Sequence, residues 1–116
     1  MRVRSAYQVT FYKTAAGVKT LGAWLKGLET SNPVLHDMVA AGLVKLRNPQ
    51  THKPHFTVLV DKERRIYEMR VGRKDIARVF FFHAPGDVLI ATNAYVKQQQ
   101  ELDRGELDRA QRFQAD

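Results

Sequence analysis

Cysteine is absent from the 116 residues of the chain. Disulfides, a cysteine nucleophile and thiolate zinc sites all require that side chain, so the sequence excludes these three features. A continuous apolar segment is also missing near the start, where Arg2, Arg4 and Gln8 interrupt the apolar residues. We therefore expect no signal peptide, no membrane span and no membrane partner, and we expect the protein to be cytoplasmic.

The common signatures of metal and nucleotide enzymes are missing as well. The sequence has no glycine-rich phosphate loop, no nucleophile elbow and no pair of histidines on one helical face. We accordingly expect no metal and no other cofactor. His52 and His55 flank Pro54 in a loop, where two histidines are more often solvated than metal ligands. A contact to RNA or a role as general base is the alternative for these two residues.

Positive charge is abundant and unevenly distributed. The formal net charge is +7, and residues 43–80 alone contain ten Lys or Arg against four Asp or Glu. A basic surface of this kind attracts polyanions by releasing their counterions. A solubilising surface explains the charge equally well, so charge alone does not decide between the two interpretations. The length is that of one domain, and an apolar content of 44% is sufficient for one core.

Two segments after residue 17 show helical periodicity, which predicts a helical hairpin whose apolar faces cover a sheet. Ser31-Asn32-Pro33 between them provides a capping side chain followed by proline at the first helical position. In the first segment the periodic residues are Val18, Leu21, Leu25 and Leu28. In the second they are Leu35, Met38, Val39, Gly42, Leu43 and Leu46.

Alternating apolar and polar residues predict the strands. Residues 7–12 form a half-buried strand that opens the sheet, and residues 56–60, 66–71, 76–83 and 88–96 follow as an antiparallel meander. Residues 72–75 are expected to make one turn of this meander. The tail, residues 101–116, is predicted to be a helix capped by Asp103, three residues before Glu106. We expect a single α+β domain over residues 1–116, with an N-terminal strand, a helical hairpin, an antiparallel sheet of three to four strands and a C-terminal helix.

Basic and aromatic residues recur along these strands in a pattern that suits RNA chemistry. Cleaving RNA without a metal requires a base for the 2′-hydroxyl, stabilisation of the charge that builds on the phosphate, and an acid for the leaving oxygen. Arginine suits the second task, and tyrosine, lysine or histidine suits the others. Exposed strand residues opposite a buried face are the alternative interpretation. The residues concerned are Arg64, Arg65, Arg70, Arg73, Lys74, Arg78, Tyr95 and Lys97.

Arg70 and Arg78 lie on adjacent predicted strands. They share a face of the sheet only if the loop between the strands has an odd number of residues or if a bulge intervenes. A four-residue loop would pair Val71 with Ile76 and place the two arginines on opposite faces. The sequence leaves these two outcomes open.

Four motifs resemble those of the phage-derived, HigB-like branch of the RelE/ParE toxin superfamily. They are Ile66-Tyr67-Glu68-Met69-Arg70, Ala77-Arg78-Val79-Phe80-Phe81-Phe82, Leu89-Ile90 with Tyr95-Val96-Lys97, and the acidic helix that ends in Ala110. The likeness covers residues 60–112, and it implies the RelE/ParE-like version of the α+β fold described above. Gln98 stands where these relatives have a second lysine.

The resemblance implies a toxin of a type II toxin–antitoxin system. Many such relatives are ribosome-dependent, metal-independent mRNA endoribonucleases that block translation, so the implied partners are mRNA, the ribosome and a cognate helix-turn-helix antitoxin. Carried over by position, the implied catalytic residues are Arg70, Arg78, Tyr95 and Lys97. We assign RNA binding to Arg64, Arg65, Arg73, Lys74 and His55. A ParE-like inhibitor of DNA gyrase without a nuclease site, or an inactive prophage remnant, is the alternative.

Overall fold

The computed structural model describes residues 6–97 and 103–116 of the chain. Among these residues the expected α+β architecture is confirmed, and no described helix is long and apolar enough to span a membrane. The elements, in chain order, are β1 (Gln8–Phe11), α1 (Thr20–Ser31), α2 (Pro33–Leu46), a 3-10 turn (Pro49–Thr51), β2 (Thr57–Asp61), β3 (Ile66–Gly72), β4 (Ile76–Ala84), β5 (Val88–Lys97) and α3 (Arg104–Ala115).

The strands form one mixed sheet in the order β1-β5-β4-β3-β2. Strands β2 to β5 are the predicted antiparallel meander, and β1 adds to its far edge by pairing parallel with β5. A parallel pair needs a crossover connection between its strands, and here the helical hairpin lies in that connection. The edge strand on the other side is β2.

Both faces of the sheet are covered by helices. The hairpin of α1 and α2 covers one face, which we call the hairpin face, and its core includes Leu21, Val39 and Phe81. Helix α3 covers part of the other face, which we call the α3 face, where Leu107 and Ala110 pack on Ile66, Phe80 and Tyr95.

Local capping explains where two of the helices begin. The Asn32 side chain accepts a hydrogen bond from the Leu35 N–H at 3.2 Å, and Pro33 follows at the first helical position. The Asp103 side chain accepts one from the Glu106 N–H at 3.1 Å. Both predicted caps are therefore present. The tail helix was predicted from residue 101, but residues 101 and 102 lie outside the described part of the chain.

The turn between β3 and β4 contains three residues, 73–75. The prediction of a turn over residues 72–75 is wrong at its first residue, because Gly72 ends β3 and pairs with Ile76. Gly72 has a φ of +125°, and a Cβ built there would lie 2.1 Å from the Asp75 carbonyl oxygen. Only glycine fits such a position. Because the loop is odd in length, Arg70 and Arg78 lie directly opposite each other on one face.

Candidate functional site

A row of three side chains crosses the α3 face near the β3–β4 turn. Arg70 of β3 pairs with Arg78 of β4, and Arg78 pairs with Tyr95 of β5. Directly paired residues have Cβ atoms about 4.5–5.5 Å apart, so the three side chains are neighbours. Lys97 lies two residues beyond Tyr95 on the same strand and therefore on the same face. The structure thus brings together the four residues predicted to be catalytic.

A buried carboxylate joins three of these residues. Glu68 has no exposed surface. Its Oε1 accepts hydrogen bonds from Arg70 Nε at 2.7 Å and from Arg78 Nη1 at 3.1 Å. Its Oε2 accepts a hydrogen bond from the Tyr95 hydroxyl at 3.0 Å. One carboxylate therefore holds both guanidinium groups and the phenol in a single network.

The sequence analysis did not single out Glu68, although it stands in the motif that carries Arg70. The available signal was its spacing, since residues two apart on a strand share a face. A carboxylate two positions from an arginine, on the face of the sheet that a C-terminal helix covers, was therefore a candidate partner.

Burial separates the two arginines. Arg78 is 1% exposed to solvent, whereas the side chain of Arg70 is 29% exposed. Among the described residues, the network contains two guanidinium groups and the carboxylate of Glu68. Arg70 is therefore the guanidinium that an incoming anion can reach, while Arg78 adds positive charge from inside the protein.

Tyr95 is buried in the same network. Burial raises the pKa of Tyr95 to about 12, and the neighbouring Glu68 charge acts in the same direction, while the hydrogen bond from the Asp103 N–H opposes them. That N–H donates to the phenol oxygen at 3.2 Å. The phenol therefore stays protonated at neutral pH and acts there as a hydrogen-bond donor to Glu68.

A small cavity opens beside the two arginines, and we call it the arginine cavity. Its volume is about 230 Å³. His55, which precedes β2 in the chain, forms part of its wall, so one predicted RNA-binding residue lies at the same place as the arginines. The lining residues are Pro54, His55, Arg70, Val71, Gly72, Ile76 and Arg78.

The other predicted RNA-binding residues fall into two groups. Arg73 and Lys74 are exposed in the β3–β4 turn, at the same end of the sheet as the arginine cavity. Arg64 and Arg65 lie in the β2–β3 turn at the opposite end of β3. A strand of seven residues separates the groups by about 20 Å at ~3.3 Å per residue. The structure does not bring Arg64 and Arg65 into the cluster, and their contact with RNA stays a prediction.

His52 and His55 do not form a pair. The ring of His52 makes a 2.7 Å hydrogen bond with the Leu46 carbonyl, and it packs against Tyr7 on the hairpin face. Within residues 6–97 and 103–116, no group of three or more His, Asp or Glu side chains is placed to hold a metal ion.

Comparison with known families identifies the chain. The model of the family described as Phage derived protein Gp49-like (DUF891) matches residues 23–114, which include both arginines, Tyr95 and most of α3. The chain belongs to this family. The Gp49-like family is a RelE-like toxin family, related to the toxins of toxin–antitoxin systems. The sequence resemblance to that superfamily is confirmed at this level. No curated protein matches the Gp49-like chain.

Proposed function

We propose that this Gp49-like protein is a HigB-like toxin of a type II toxin–antitoxin system and acts as a ribosome-dependent mRNA endoribonuclease. The observation that carries the proposal is the pairing of Arg70 with Arg78 beside a cavity that His55 also lines. Two adjacent guanidinium groups are suited to a phosphodiester, because the planar fork of arginine matches phosphate oxygens.

The reaction is transfer of the phosphodiester to the ribose 2′-oxygen. The 2′-hydroxyl loses its proton and attacks the phosphorus, and the bond to the 5′-oxygen of the next nucleotide breaks as that oxygen gains a proton. Negative charge builds on the two non-bridging oxygens in between. Arg70, which is partly exposed, contacts these oxygens, and buried Arg78 stabilises the charge from beneath.

Proton transfer is assigned to His55 and Lys97 rather than to Tyr95. His55 lies in the wall of the arginine cavity, Lys97 lies at the end of β5 on the α3 face, and both side-chain types serve as general acids and bases in enzymes. Tyr95 keeps its proton, with a pKa of about 12. It serves as a positioning residue that, with Glu68, fixes the direction of the arginine side chains.

The partners follow from this activity. mRNA on the ribosome is the substrate, and the protein works in the cytoplasm. Arg73 and Lys74 extend the positive surface beside the arginine cavity toward the nucleic acid. A cognate helix-turn-helix antitoxin neutralises the toxin.

Arg70→Gln is the variant that tests the proposal best. It removes the reachable charge and leaves the buried Arg78–Glu68 pair in place. We expect wild-type protein, induced in growing cells or added to programmed ribosomes, to cut mRNA, and Arg70→Gln to cut at least about 100-fold more slowly. Lys62→Gln removes one positive charge in the β2–β3 turn, at the far end of β3, and should cut as wild type does. Mapping of new transcript 5′ ends measures the difference.

Growth arrest with intact transcripts would overturn the nuclease proposal. It would support the second candidate, a ParE-like inhibitor of DNA gyrase, when accompanied by a DNA-damage response. One observation favours that candidate: Glu68 engages both arginines and Tyr95, so the polar row also works as internal structure. Absence of any growth effect would support an inactive prophage remnant.

A further inference from the structure

A second and larger concavity lies on the hairpin face of the sheet, outside the arginine cavity. Its volume is about 620 Å³. Four aromatic rings and one ammonium group line this concavity, and we call it the aromatic groove. These residues are Tyr7, His52, Lys53, Tyr67 and His83.

The rings of the groove pack on one another in a continuous chain. Tyr7 lies 5.0 Å from His52 and 5.4 Å from His83 between ring centroids. His83 in turn lies 5.5 Å from Tyr67, nearly at right angles to it. Edge-to-face and tilted contacts at such distances fix ring orientations. The groove therefore has a pre-formed aromatic surface.

The backbone explains why the rings of Tyr67 and His83 are accessible, whereas Tyr7 is buried. Tyr67 pairs with Phe81 across β3 and β4, and His83 is two residues further along on the same face. Helix α2 ends at Leu46, so it leaves this end of the sheet uncovered. The loop that contains His52 and Lys53 then forms the opposite wall, and a hydrogen bond to the Leu46 carbonyl holds the His52 ring. His83 is exposed to solvent.

The aromatic groove and the arginine cavity are adjacent. Pro54 lines both of them. Its chain neighbour Lys53 lies in the aromatic groove, and its other neighbour His55 lies in the arginine cavity. The boundary runs past β2, the edge strand of the sheet. A flexible polyanion can therefore pass from one concavity to the other around this edge.

We propose that the aromatic groove binds an unpaired nucleobase of the RNA strand whose phosphate occupies the arginine cavity. The inference depends on the proposed function for its ligand. Bases stack on tyrosine and histidine rings, and only single-stranded RNA can splay a base into a recess of this kind. Lys53 lies in the aromatic groove next to Pro54. It is placed to contact the phosphate that joins the nucleotide in the groove to the nucleotide at the arginine cavity. Neither Tyr67 nor His83 was assigned a function from the sequence.

The test is a thermodynamic cycle between one ring and one base. Binding of a labelled short oligoadenylate is measured by fluorescence anisotropy, and so is binding of the same strand with an abasic nucleotide scanned along it. We expect the abasic nucleotide, at one position, to weaken binding to the wild type about five- to 100-fold. His83→Thr should weaken binding of the intact strand by a similar factor and be insensitive to the abasic position.

Matched variants separate stacking from charge and from folding. His83→Phe retains a ring and should bind like the wild type. Val96→Thr changes an exposed β5 residue outside the groove and should do the same. Lys53→Ala should weaken binding, whereas Lys62→Ala, which removes the same charge in the β2–β3 turn, should not. Circular dichroism and thermal melting of each variant establish that it is folded, and His83→Gln, which also lacks a ring, replaces His83→Thr if the latter does not fold.

The outcomes distinguish this inference from the proposed function. If His83→Thr keeps both its affinity and its abasic penalty while Arg70→Gln stops cleavage, the groove inference is wrong and the nuclease stands. If the cycle behaves as expected but wild-type protein leaves mRNA intact on ribosomes, the groove stands and the nuclease fails. If adenosine monophosphate binds as tightly as the oligoadenylate, the groove is a site for free nucleotides, and a strand shared with the arginine cavity is excluded.

Discussion

Glu68 is the residue on which the polar row of the α3 face depends. Its buried carboxylate forms ion pairs with the buried Arg78 and the partly buried Arg70. Glu68→Gln keeps the shape of the side chain but removes the carboxylate that the two cations share. Removing one partner of a buried ion pair costs about 3–5 kcal/mol. We expect a loss of that size in the free energy of unfolding, measured by urea denaturation.

Glu106→Gln is the matched control for Glu68→Gln. Glu106 forms an ion pair with Arg109 at 3.1 Å, but both side chains retain solvent contact, with 22% and 40% exposure. A partly exposed pair of this type contributes about 1 kcal/mol or less. Equal losses in the two variants would contradict the role assigned to Glu68.

Tyr95 makes a second prediction at the level of a single residue. Its pKa is about 12 in the folded protein, above the ordinary 10 that applies in the unfolded chain. The stabilisation from the protonated phenol is therefore fully present below pH 10 and is lost as the pH rises toward 12.

Tyr95→Phe should remove the loss of stability that deprotonation of this phenol causes at alkaline pH, measured by denaturation at several pH values. It should leave the neutral-pH profile of RNA cleavage unchanged in shape, because the phenol is not the base. A variant with the same alkaline pH dependence as the wild type would contradict the assignment.

Among the elements, helix α2 packs tightly against strand β3 at Gly42. A Cβ at this position would lie 2.9 Å from Val71 Cγ1 and 3.1 Å from Met69 Cε. Gly42→Ala should therefore destabilise the protein by about 1–3 kcal/mol, through overpacking between α2 and β3.

Gly27 in α1 is the matched control, because no atom lies within 4 Å of a Cβ built there. Gly27→Ala should stabilise the protein by about 0.5–1 kcal/mol, because alanine favours the helix. Thermal unfolding of both variants compares them, and the same sign for both would contradict the close contact at Gly42.

The elements could be predicted from sequence because their signals are local. The Ser31-Asn32-Pro33 boundary and the alternation in β3 and β4 depend on neighbouring residues only. The parallel pairing of β1 with β5 depends on contacts between residues 8–11 and residues 88–91, and periodicity carries no information about such a partner. The parity of the β3–β4 loop stayed open for a similar reason. A glycine with positive φ can belong to a turn or end a strand, and Gly72 ends the strand.

At the level of the whole molecule, the sequence indicated which residues come together on the α3 face but not how deeply they lie. The motifs around Arg70, Arg78 and Tyr95 pointed to one cluster, and the register brings them together. The alternation of apolar and polar residues along a strand indicates which face of the sheet a side chain lies on. The burial of that side chain depends on what covers the face. Arg78 and Tyr95 were expected as reactive groups on a surface, and they are buried instead. The spacing of Glu68 from Arg70 indicated a shared face, but nothing in the sequence showed that the Glu68 carboxylate is buried.

The net charge likewise does not show where on the molecule the basic residues lie. The chain has a formal charge of +7, but Arg73 and Lys74 lie at the end of the sheet with the arginine cavity, and Arg64 lies at the other. For single-stranded nucleic acid, each phosphate that a protein neutralises changes the slope of log affinity against log salt by about 0.7. With an oligonucleotide too short to reach both ends, Arg73→Gln should lower the slope by about that amount. Arg64→Gln should leave it unchanged, although it removes the same formal charge. Anisotropy titrations across a range of NaCl concentrations measure both slopes. Equal changes in slope would mean that the chain attracts RNA through its total charge. The end of the sheet at the arginine cavity would then not be a preferred binding site for the phosphate backbone.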